Sequence, residues 1–297
     1  MELYTDLELF DNQESIDEFL ELSNNTMDEF NNPRQKKVKY RYLCWKYLPT
    51  IRNVDIPIIP LDSNLEAVLV ECRVLPHIEF IIRNAIIKLG TKWSHTIVCG
   101  NKNYDYMYEM CSRISPNIKI IRLDVDNLDA ATTYNNLLAS LSFWNMFKGD
   151  KILIHQEDSC VFKTNIDDFL EFDYIGAPWQ QSPWLKVFGL KLAVGNGGFS
   201  LRTKQTMINV ITKVQRPPNC IVNEDSYFGR CIYNHKLGSL PTISQASEFS
   251  SEEIVNHESL GGHCFFNYDD NGFGRFIRDC IIPILNANMM HVELSTK

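Results

Sequence analysis

The feature that most constrains the fold is an alternation of short β-branched runs with amphipathic helical segments between residues 64 and 155. Four runs have the composition of buried strands: residues 67–71, 96–100, 118–123 and 151–155. Apolar residues recur at helical spacing between these runs, over residues 76–89, 106–114 and 132–147. Strands that alternate with helices predict an α/β protein with a mostly parallel sheet covered by helices on both faces.

The first 62 residues differ from the rest and predict an extension to an α/β domain that spans residues 63–297. Residues 1–33 hold ten Asp and Glu and no Lys or Arg, and their apolar residues predict one short amphipathic helix. Residues 40–47 are basic and aromatic, which fits a nucleic-acid or partner patch or, as we favour, a helix that packs its rings on the main domain. Residues 56–60 (IPIIP) predict a linker, because proline is excluded from central strands and helix interiors. The extension could also serve as a protein-interaction arm.

Charge and composition narrow the partners and the location. Outside the first 33 residues the chain has 27 acidic and 29 basic residues, without the basic excess of a duplex-DNA-binding surface. No run approaches the roughly 18–20 apolar residues of a membrane span, and the acidic start is unlike a secretory signal. The nine cysteines are scattered without Cys-x-x-Cys spacing, as expected of buried thiols in a reducing compartment. We therefore expect a cytoplasmic protein without a membrane span or a nucleic-acid partner; a small phosphorylated ligand remains compatible.

The segments that follow the predicted strands are the first candidates for a site. Ligands of parallel α/β sheets collect beyond the carboxyl ends of the strands. That position is held by Glu71 and Arg73 after the first strand, by the region near Tyr134, and by residues 156–158 (QED) after the fourth strand.

The acidic segment after the fourth strand carries the strongest chemical signal of these. Glu157 and Asp158 would be costly beside a buried strand without a cation or hydrogen-bond donors. Carboxylates suit Mg²⁺ or Mn²⁺ that is also bound by the phosphates of a substrate. The alternative is that Asp158 caps the next turn.

Aromatic and glycine-rich segments follow. In residues 173–179 (DYIGAPW), Tyr174 is expected to close the core, whereas Trp179, like Trp184 beyond it, is a candidate ligand contact. Residues 195–198 (GNGG) let the backbone approach a ligand closely, or form a tight turn.

Two further segments carry titratable groups. Glu224 and Asp225 stand at the start of a predicted helix, where they fit either capping groups or a general base. His263, in residues 261–266 (GGHCFF), gains significance only if it meets Asp158 in space.

The order of these segments resembles the GT-A glycosyltransferases. The motifs YIGAPW at 174–179 and GNGGFSLR at 195–202 are most similar to an uncharacterised glycosyltransferase-like family found in giant DNA viruses and bacteria. EDSYFG at 224–229 also resembles the Glu-Asp-Val segment that carries the base in inverting β-1,3-glycosyltransferases. The resemblance covers about residues 64–270. Gln156 stands where the family's Asp-x-Asp motif has its first acid, so the resemblance places the cation on Asp158.

The resemblance implies a fold, an activity and partners. The fold is a GT-A-like, Rossmann-like sheet with a helical N-terminal extension. The activity is that of a hexosyltransferase that moves a sugar from a nucleotide-diphosphate sugar, with a UDP-sugar as the first choice, to a hydroxyl of a glycan or protein acceptor. A viral protein of this kind would work in the host cytoplasm, the virus factory or the virion. The oligomeric state is not defined by the sequence.

The resemblance also implies residue roles. Asp158, with His263 as second ligand, would hold Mn²⁺ or Mg²⁺ against the donor diphosphate. Asp225, with Glu224 as the alternative, would take the proton of the acceptor hydroxyl. The remaining donor and substrate contacts would be Glu71, Arg73, Tyr134, Asn135, Gln156, Glu157, Trp179, Asn196, Gly197 and Gly198.

Two other functions fit parts of the pattern. A non-catalytic glycan- or nucleotide-binding module of the same fold is favoured by Gln156 in the acidic motif. A metal-dependent phosphoesterase or nuclease is the other, although two cations would require a larger cluster of acids than the scattered pairs of this chain.

Overall fold

A mostly parallel six-stranded sheet flanked by helices forms the centre of the protein, which confirms the predicted α/β class. The structure, a computed structural model, describes residues 33–128, 131–179, 195–217, 222–268 and 271–295. The predicted acidic helix of the first 32 residues and the segment with Trp184 lie outside the described residues. Within them, no helix has the length and apolar character that crossing a bilayer requires.

The large sheet has the strand order β3-β2-β1-β4-β7-β6. Its strands are β1 (Leu65–Val70), β2 (Ser94–Cys99), β3 (Lys119–Arg122), β4 (Lys151–His155), β6 (Tyr174–Gly176) and β7 (Phe199–Thr203). β7 runs antiparallel to both of its neighbours, and the pairs among β1 to β4 are parallel. A small sheet contains β5 (Ser159–Val161), β8 (Ser250–Ser251) and β9 (Gly261–His263) in the order β5-β9-β8.

The helices cover both faces of the large sheet. They are α1 (Pro33–Lys46), α2 (Leu48–Arg52), α3 (Ile78–Leu89), α4 (Tyr104–Ile114), α5 (Ala131–Leu138), α6 (Leu141–Trp144), α7 (Lys204–Lys213), α8 (Glu224–His235), α9 (Ile243–Phe249), α10 (Gly272–Phe276) and α11 (Ile282–Ser295). The prediction of a single helix over residues 132–147 is wrong, because the helix is interrupted between α5 and α6. Ser140 adopts an extended backbone there, and its hydroxyl accepts a hydrogen bond from the Phe143 amide at 3.2 Å, which caps α6.

Helix α1 packs against the α/β unit through its aromatic residues. The Tyr40 ring lies 5.1–5.4 Å from the rings of Phe265, Phe266 and Phe276. Its hydroxyl donates to the carbonyl oxygen of Ser159 at 2.8 Å. The basic and aromatic stretch is therefore a packing helix, as we favoured from sequence. The domain boundary at residue 62 stays a prediction.

Two buried histidines in the sheet give folding stability a defined pH dependence. Burial, together with the nearby His155 in β4, lowers the pKa of His95 in β2 to about 3. Burial lowers the pKa of His155 to about 4. The unfolded chain therefore binds two protons below about pH 6 that the folded chain does not bind. Asp225 has the opposite effect on the difference in bound protons. Its pKa in the folded chain is raised to about 6, so on acidification the folded chain binds this proton at a higher pH than the unfolded chain does.

We therefore expect the stability that these three groups contribute to be present above about pH 6.5 and to fall on acidification. His263, whose folded pKa is raised, binds its proton in both states below about pH 6 and does not change this slope. The expected slope is one net proton, or about 1.4 kcal/mol per pH unit between about pH 6 and 5, in urea unfolding across a pH series. His155→Gln should remove one proton from the slope, and Asp225→Asn should add one. A wild-type stability that does not change over this range would contradict the assignment of neutral buried histidines.

Candidate functional site

A cavity of about 630 Å³ opens at the carboxyl ends of β1, β3 and β4. Its walls include every site residue that the resemblance implied except Trp179: Glu71, Arg73, Tyr134, Asn135, Gln156, Glu157, Asp158, Asn196, Gly197, Gly198, Glu224, Asp225 and His263. Lys37, Asn127 and Asn223 also line it. Trp179, which follows β6, is not among the residues that line the cavity.

Asp158, His263 and Cys264 form a compact cluster on one wall. Asp158 directly precedes β5 and His263 ends β9, and the pairing of Ser159 with His263 brings the two segments together. His263 Nε2 lies 3.2 Å from Asp158 Oδ1, and Cys264 Sγ lies 3.2 Å from Asp158 Oδ2 and 3.6 Å from His263 Nε2. The Cys264 amide donates to the Asp158 carbonyl at 3.0 Å, which fixes the two segments against each other.

The spacing of this cluster fits a transition-metal ion. Metal bonds of about 2.0 Å to nitrogen and oxygen and about 2.3 Å to sulfur set tetrahedral ligand separations of roughly 3.3–3.6 Å. An oxygen, an imidazole nitrogen and a thiol suit a softer ion such as Zn²⁺ best, and of the two harder ions they suit Mn²⁺ better than Mg²⁺, which prefers oxygen ligands. Burial raises the pKa of the Cys264 thiol to about 11, so an ion bound to this sulfur must displace its proton.

A second carboxylate lies beside the far nitrogen of the His263 ring. Glu252 Oε1 lies 3.1 Å from His263 Nδ1, while Nε2 faces Asp158. Burial alone would lower the pKa of His263, but Cys264, Asp158 and Glu252 together raise it well above its ordinary value. A carboxylate on the far ring nitrogen orients a histidine toward a metal.

Glu157, which was predicted to contact the donor, lines the cavity with its carboxylate turned toward buried side chains. Arg41 contacts both of its oxygens, at 3.1 and 2.6 Å, and His77 Nε2 lies 3.1 Å away. Although burial alone would raise the pKa of Glu157, the His77 hydrogen bond and the charges of Arg41 and Lys37 hold it well below its usual range. Its carboxylate joins α1, through Arg41, to the segment that follows β4.

Hydrogen bonds within the loop after β1 and from Asn103 hold this loop in place. Glu71 accepts hydrogen bonds from the Arg73 amide at 2.8 Å and from its guanidinium at 2.9 and 2.8 Å. Asn103 Nδ2 donates to the carbonyl oxygens of both residues, at 2.9 and 3.0 Å. The Arg73 side chain is still 38% exposed, so the loop presents a cationic group at the cavity.

The two acids at the start of α8 have different environments. Glu224 is buried and accepts two hydrogen bonds from Arg202, at 2.6 and 2.9 Å. Asp225 is half-buried and accepts from the Ser226 amide at 2.5 Å and the Gly197 amide at 3.2 Å. Removal from bulk water and the adjacent Glu224 charge raise the pKa of Asp225 to about 6. Asp225 is therefore the better candidate base, because the Glu224 oxygens are held by Arg202.

Asn135 holds the start of α8 in place. Its Oδ1 accepts from the Glu224 amide at 3.0 Å, and its Nδ2 donates to Asn223 Oδ1 at 3.2 Å. These bonds satisfy an otherwise unpaired amide at the helix start. Asn135 was expected to contact a substrate, but its amide group supports the helix that carries Asp225.

Gly197 and Gly198 make room for protein side chains, whereas the sequence had suggested space for a ligand. A Cβ on Gly197 would lie 2.7 Å from Glu224 Oε1 and 3.1 Å from the Asp225 Cβ, and a Cβ on Gly198 would overlap the His263 ring. Consecutive Cα atoms are about 3.8 Å apart. Gly197, which packs against Asp225, is therefore about 3.8 Å in Cα position from Gly198, which packs against His263.

Replacing Gly198 by Ala should weaken Mn²⁺ binding by about 10- to 100-fold, because the new methyl group displaces the His263 ring. Isothermal titration with Mn²⁺ measures this. Gly274→Ala is the matched control, since no atom lies within 4 Å of a Cβ built there, and it should bind Mn²⁺ like the wild type. Equal affinity in Gly198→Ala would show that His263 is not a ligand.

Sequence reasoning missed Cys264 and Lys37, as well as Asn127, as members of the site. Cys264 has no second cysteine at a metal-binding spacing, and its role became visible only through the pairing of β5 with β9. Lys37 lies in a run of basic residues on α1, without a motif that would single it out.

Comparisons with known proteins give low-level similarities. No curated protein sequence matches this chain. Solved structures that match include the mannosyltransferase PcManGT from Pyrobaculum calidifontis in complex with GDP-Man and Mn²⁺, with 10% identity and a TM-score of 0.38 over 66% of this chain and 59% of that chain. They also include the apo form of the glycosyltransferase GlyE from Streptococcus pneumoniae TIGR4, with 12% identity and a TM-score of 0.42 over 67% of this chain and 54% of that chain. The match thus spans little more than half the length of either structure. Residues 117–263 match the model of a family described as a protein of unknown function, DUF5672.

Proposed function

We propose that this protein is a hexosyltransferase that moves a sugar from a nucleotide-diphosphate sugar to an acceptor hydroxyl with the help of a divalent cation. One observation carries the proposal. A single cavity at the carboxyl ends of parallel strands is lined by a three-ligand cluster and by the carboxyl group of Asp225, which has a pKa of about 6. This combination supports both charges that such a reaction develops, on the leaving diphosphate and on the acceptor oxygen.

The donor would lie along the β1 side of the cavity. Glu71, Arg73 and Asn127 offer charged and amide groups that suit a nucleobase and ribose. Asp158, His263 and Cys264 would hold the cation beside the diphosphate. A bound Mn²⁺ supplies positive charge that stabilises the departing nucleotide diphosphate. A UDP-sugar is our first choice of donor, from the sequence resemblance.

The acceptor would lie against Asp225. The Gly197 and Ser226 amides orient this carboxylate, and its raised pKa makes it a stronger base than an ordinary Asp. As the acceptor oxygen forms its bond to the anomeric carbon, Asp225 takes the hydroxyl proton, and the bond from that carbon to the diphosphate oxygen breaks. These bond changes describe a transfer that inverts the anomeric carbon. The acceptor would be a hydroxyl group of a glycan or a protein.

Binding of nucleoside diphosphates tests the donor site. Isothermal titration of UDP, GDP, ADP and CDP with Mn²⁺ should give binding for at least one of them, weaker with Mg²⁺ than with Mn²⁺. Asp158→Asn should lose the metal-dependent part of this affinity, and Asp225→Asn should keep it. A wild-type protein that binds none of these four nucleoside diphosphates in the presence of Mn²⁺ or Mg²⁺ would contradict the proposal.

A non-catalytic nucleotide- or glycan-binding module is the second candidate, and Gln156 in the acidic motif favours it. Its side chain cannot supply the carboxylate that a second motif ligand would provide. A binder would show the same nucleoside diphosphate affinity but would release no sugar from any nucleotide sugar. The cytoplasmic location and the viral likeness stay predictions from sequence.

A further inference from the structure

Lys37 brings a cation from α1 into the cavity. Its Nζ lies 2.7 Å from Asp158 Oδ2 and 3.3 Å from Glu157 Oε1, and it lines the cavity with 32% of its side chain exposed. Asp158 is thus shared, with Oδ1 facing His263 and Oδ2 facing Lys37 and Cys264. The ammonium group stands beside the candidate cation site.

The position of Lys37 is fixed by the packing of α1. Arg41 follows one helical turn later, on the same helix face, and is buried in its two hydrogen bonds to Glu157. Tyr40 is buried among three phenylalanine rings and donates to Ser159, the residue after Asp158. The backbone of α1 is therefore held at two points next to the acidic segment, and Lys37 points from it into the cavity.

The other buried cations near the cavity are already matched to carboxylates. Arg41 contacts Glu157, and Arg202 contacts Glu224. Lys37 differs because it is partly exposed and touches the carboxylate that would also hold a metal ion. Once an ion shares the charge of Asp158, a lysine at this place can turn its ammonium group to an anionic ligand, since Lys is a flexible point charge with three donors.

We propose that Lys37 contacts the diphosphate of the donor, so that α1 is part of the donor site. The inference rests on the proposed function and assigns to it a positioning cation from outside the predicted α/β domain. Lys37 and the metal ion would share the diphosphate charge from two sides.

The test compares variants of the full chain by isothermal titration with UDP, GDP and inorganic pyrophosphate in the presence of Mn²⁺. Lys37→Gln should weaken binding of each probe that the wild type binds by about 10- to 100-fold, the range for a hydrogen bond to a charged group. Lys37→Arg should stay within about threefold of the wild type. Lys46→Gln, which removes an exposed lysine at the end of the same helix, should change nothing.

A second comparison separates diphosphate contact from simple neutralisation of Asp158. In an Asp158→Asn background, Lys37 has no Asp158 charge to balance, and adding Lys37→Gln should still weaken the remaining, metal-independent binding of pyrophosphate about tenfold. Equal affinity with and without Lys37 in that background, or in the wild-type background, overturns the inference and leaves the proposed function standing. A wild-type protein that binds no probe overturns the proposed function and this inference with it.

Discussion

Asp225→Asn is expected to lower the rate of sugar transfer by about 10²- to 10⁴-fold, the usual loss when a general base is removed. Asn keeps one oxygen, which can accept from only one of the Gly197 and Ser226 amides, and its NH2 group cannot take a proton. The affinity for the nucleoside diphosphate should stay nearly unchanged, because Asp225 lies on the acceptor side. Initial rates with a saturating donor, alongside titration of the diphosphate, measure both effects.

The pH profile of the wild type provides an independent check. The rate should rise with pH through about 6, where Asp225 loses its proton, and then level off. Glu224→Gln removes a charge that helps to raise this pKa, so the pH profile of the folded variant should shift to lower pH while transfer continues. Because this variant also leaves Arg202 without its carboxylate, rates are compared at equal folded fraction. Full activity in Asp225→Asn, with loss in Glu224→Gln, would assign the base to the other acid.

Arg202→Met is expected to lower the free energy of unfolding by about 3–5 kcal/mol. Arg202 and Glu224 are both buried, and the guanidinium donates to both oxygens of this carboxylate. Removing one partner of such a pair leaves an uncompensated charge in the interior. Urea unfolding at pH 7 measures the loss.

The double variant Arg202→Met with Glu224→Gln is the control for this effect. It removes both charges, so it should recover a large part of the stability that Arg202→Met loses. A loss below about 1 kcal/mol in the single variant would show that Glu224 is not held by this contact, and it would return Glu224 to the candidates for the base.

The strands and helices of the central sheet were largely predictable, because each leaves a local pattern in the sequence. The run at 151–155 is β4 as predicted, and the other three runs overlap β1, β2 and β3 within two residues at either end. The break between α5 and α6 was missed because the apolar spacing continues through Ser140, whereas the backbone there follows the capping hydrogen bond.

The candidate site was predictable where strand ends determine position. Glu71, Arg73 and residues 156–158 line one cavity because parallel strands bring their carboxyl ends to one edge. The roles of individual side chains were harder to predict, since they depend on partners distant in sequence. Glu157 meets Arg41 across 116 residues, and Asn135 meets Glu224 across 89.

Lys37 and Cys264 show what sequence patterns leave out. Lys37 reaches Asp158 only because Tyr40 and Arg41 fix α1 against the acidic segment. Cys264 reaches Asp158 only because β9 pairs with β5. Neither arrangement has a local periodicity or spacing, so both contacts arise from tertiary packing alone.

The most direct measurement of the central claim is release of free sugar from a panel of nucleotide sugars, incubated with the full chain and Mn²⁺. In the absence of acceptor, water replaces the acceptor hydroxyl. We predict release from at least one UDP-, GDP-, ADP- or CDP-sugar that depends on Mn²⁺, is lost in Asp158→Asn and falls at least 100-fold in Asp225→Asn. A folded wild-type protein that binds a nucleoside diphosphate but releases sugar from no member of the panel, with or without Mn²⁺, would contradict the claim that this cavity transfers sugars.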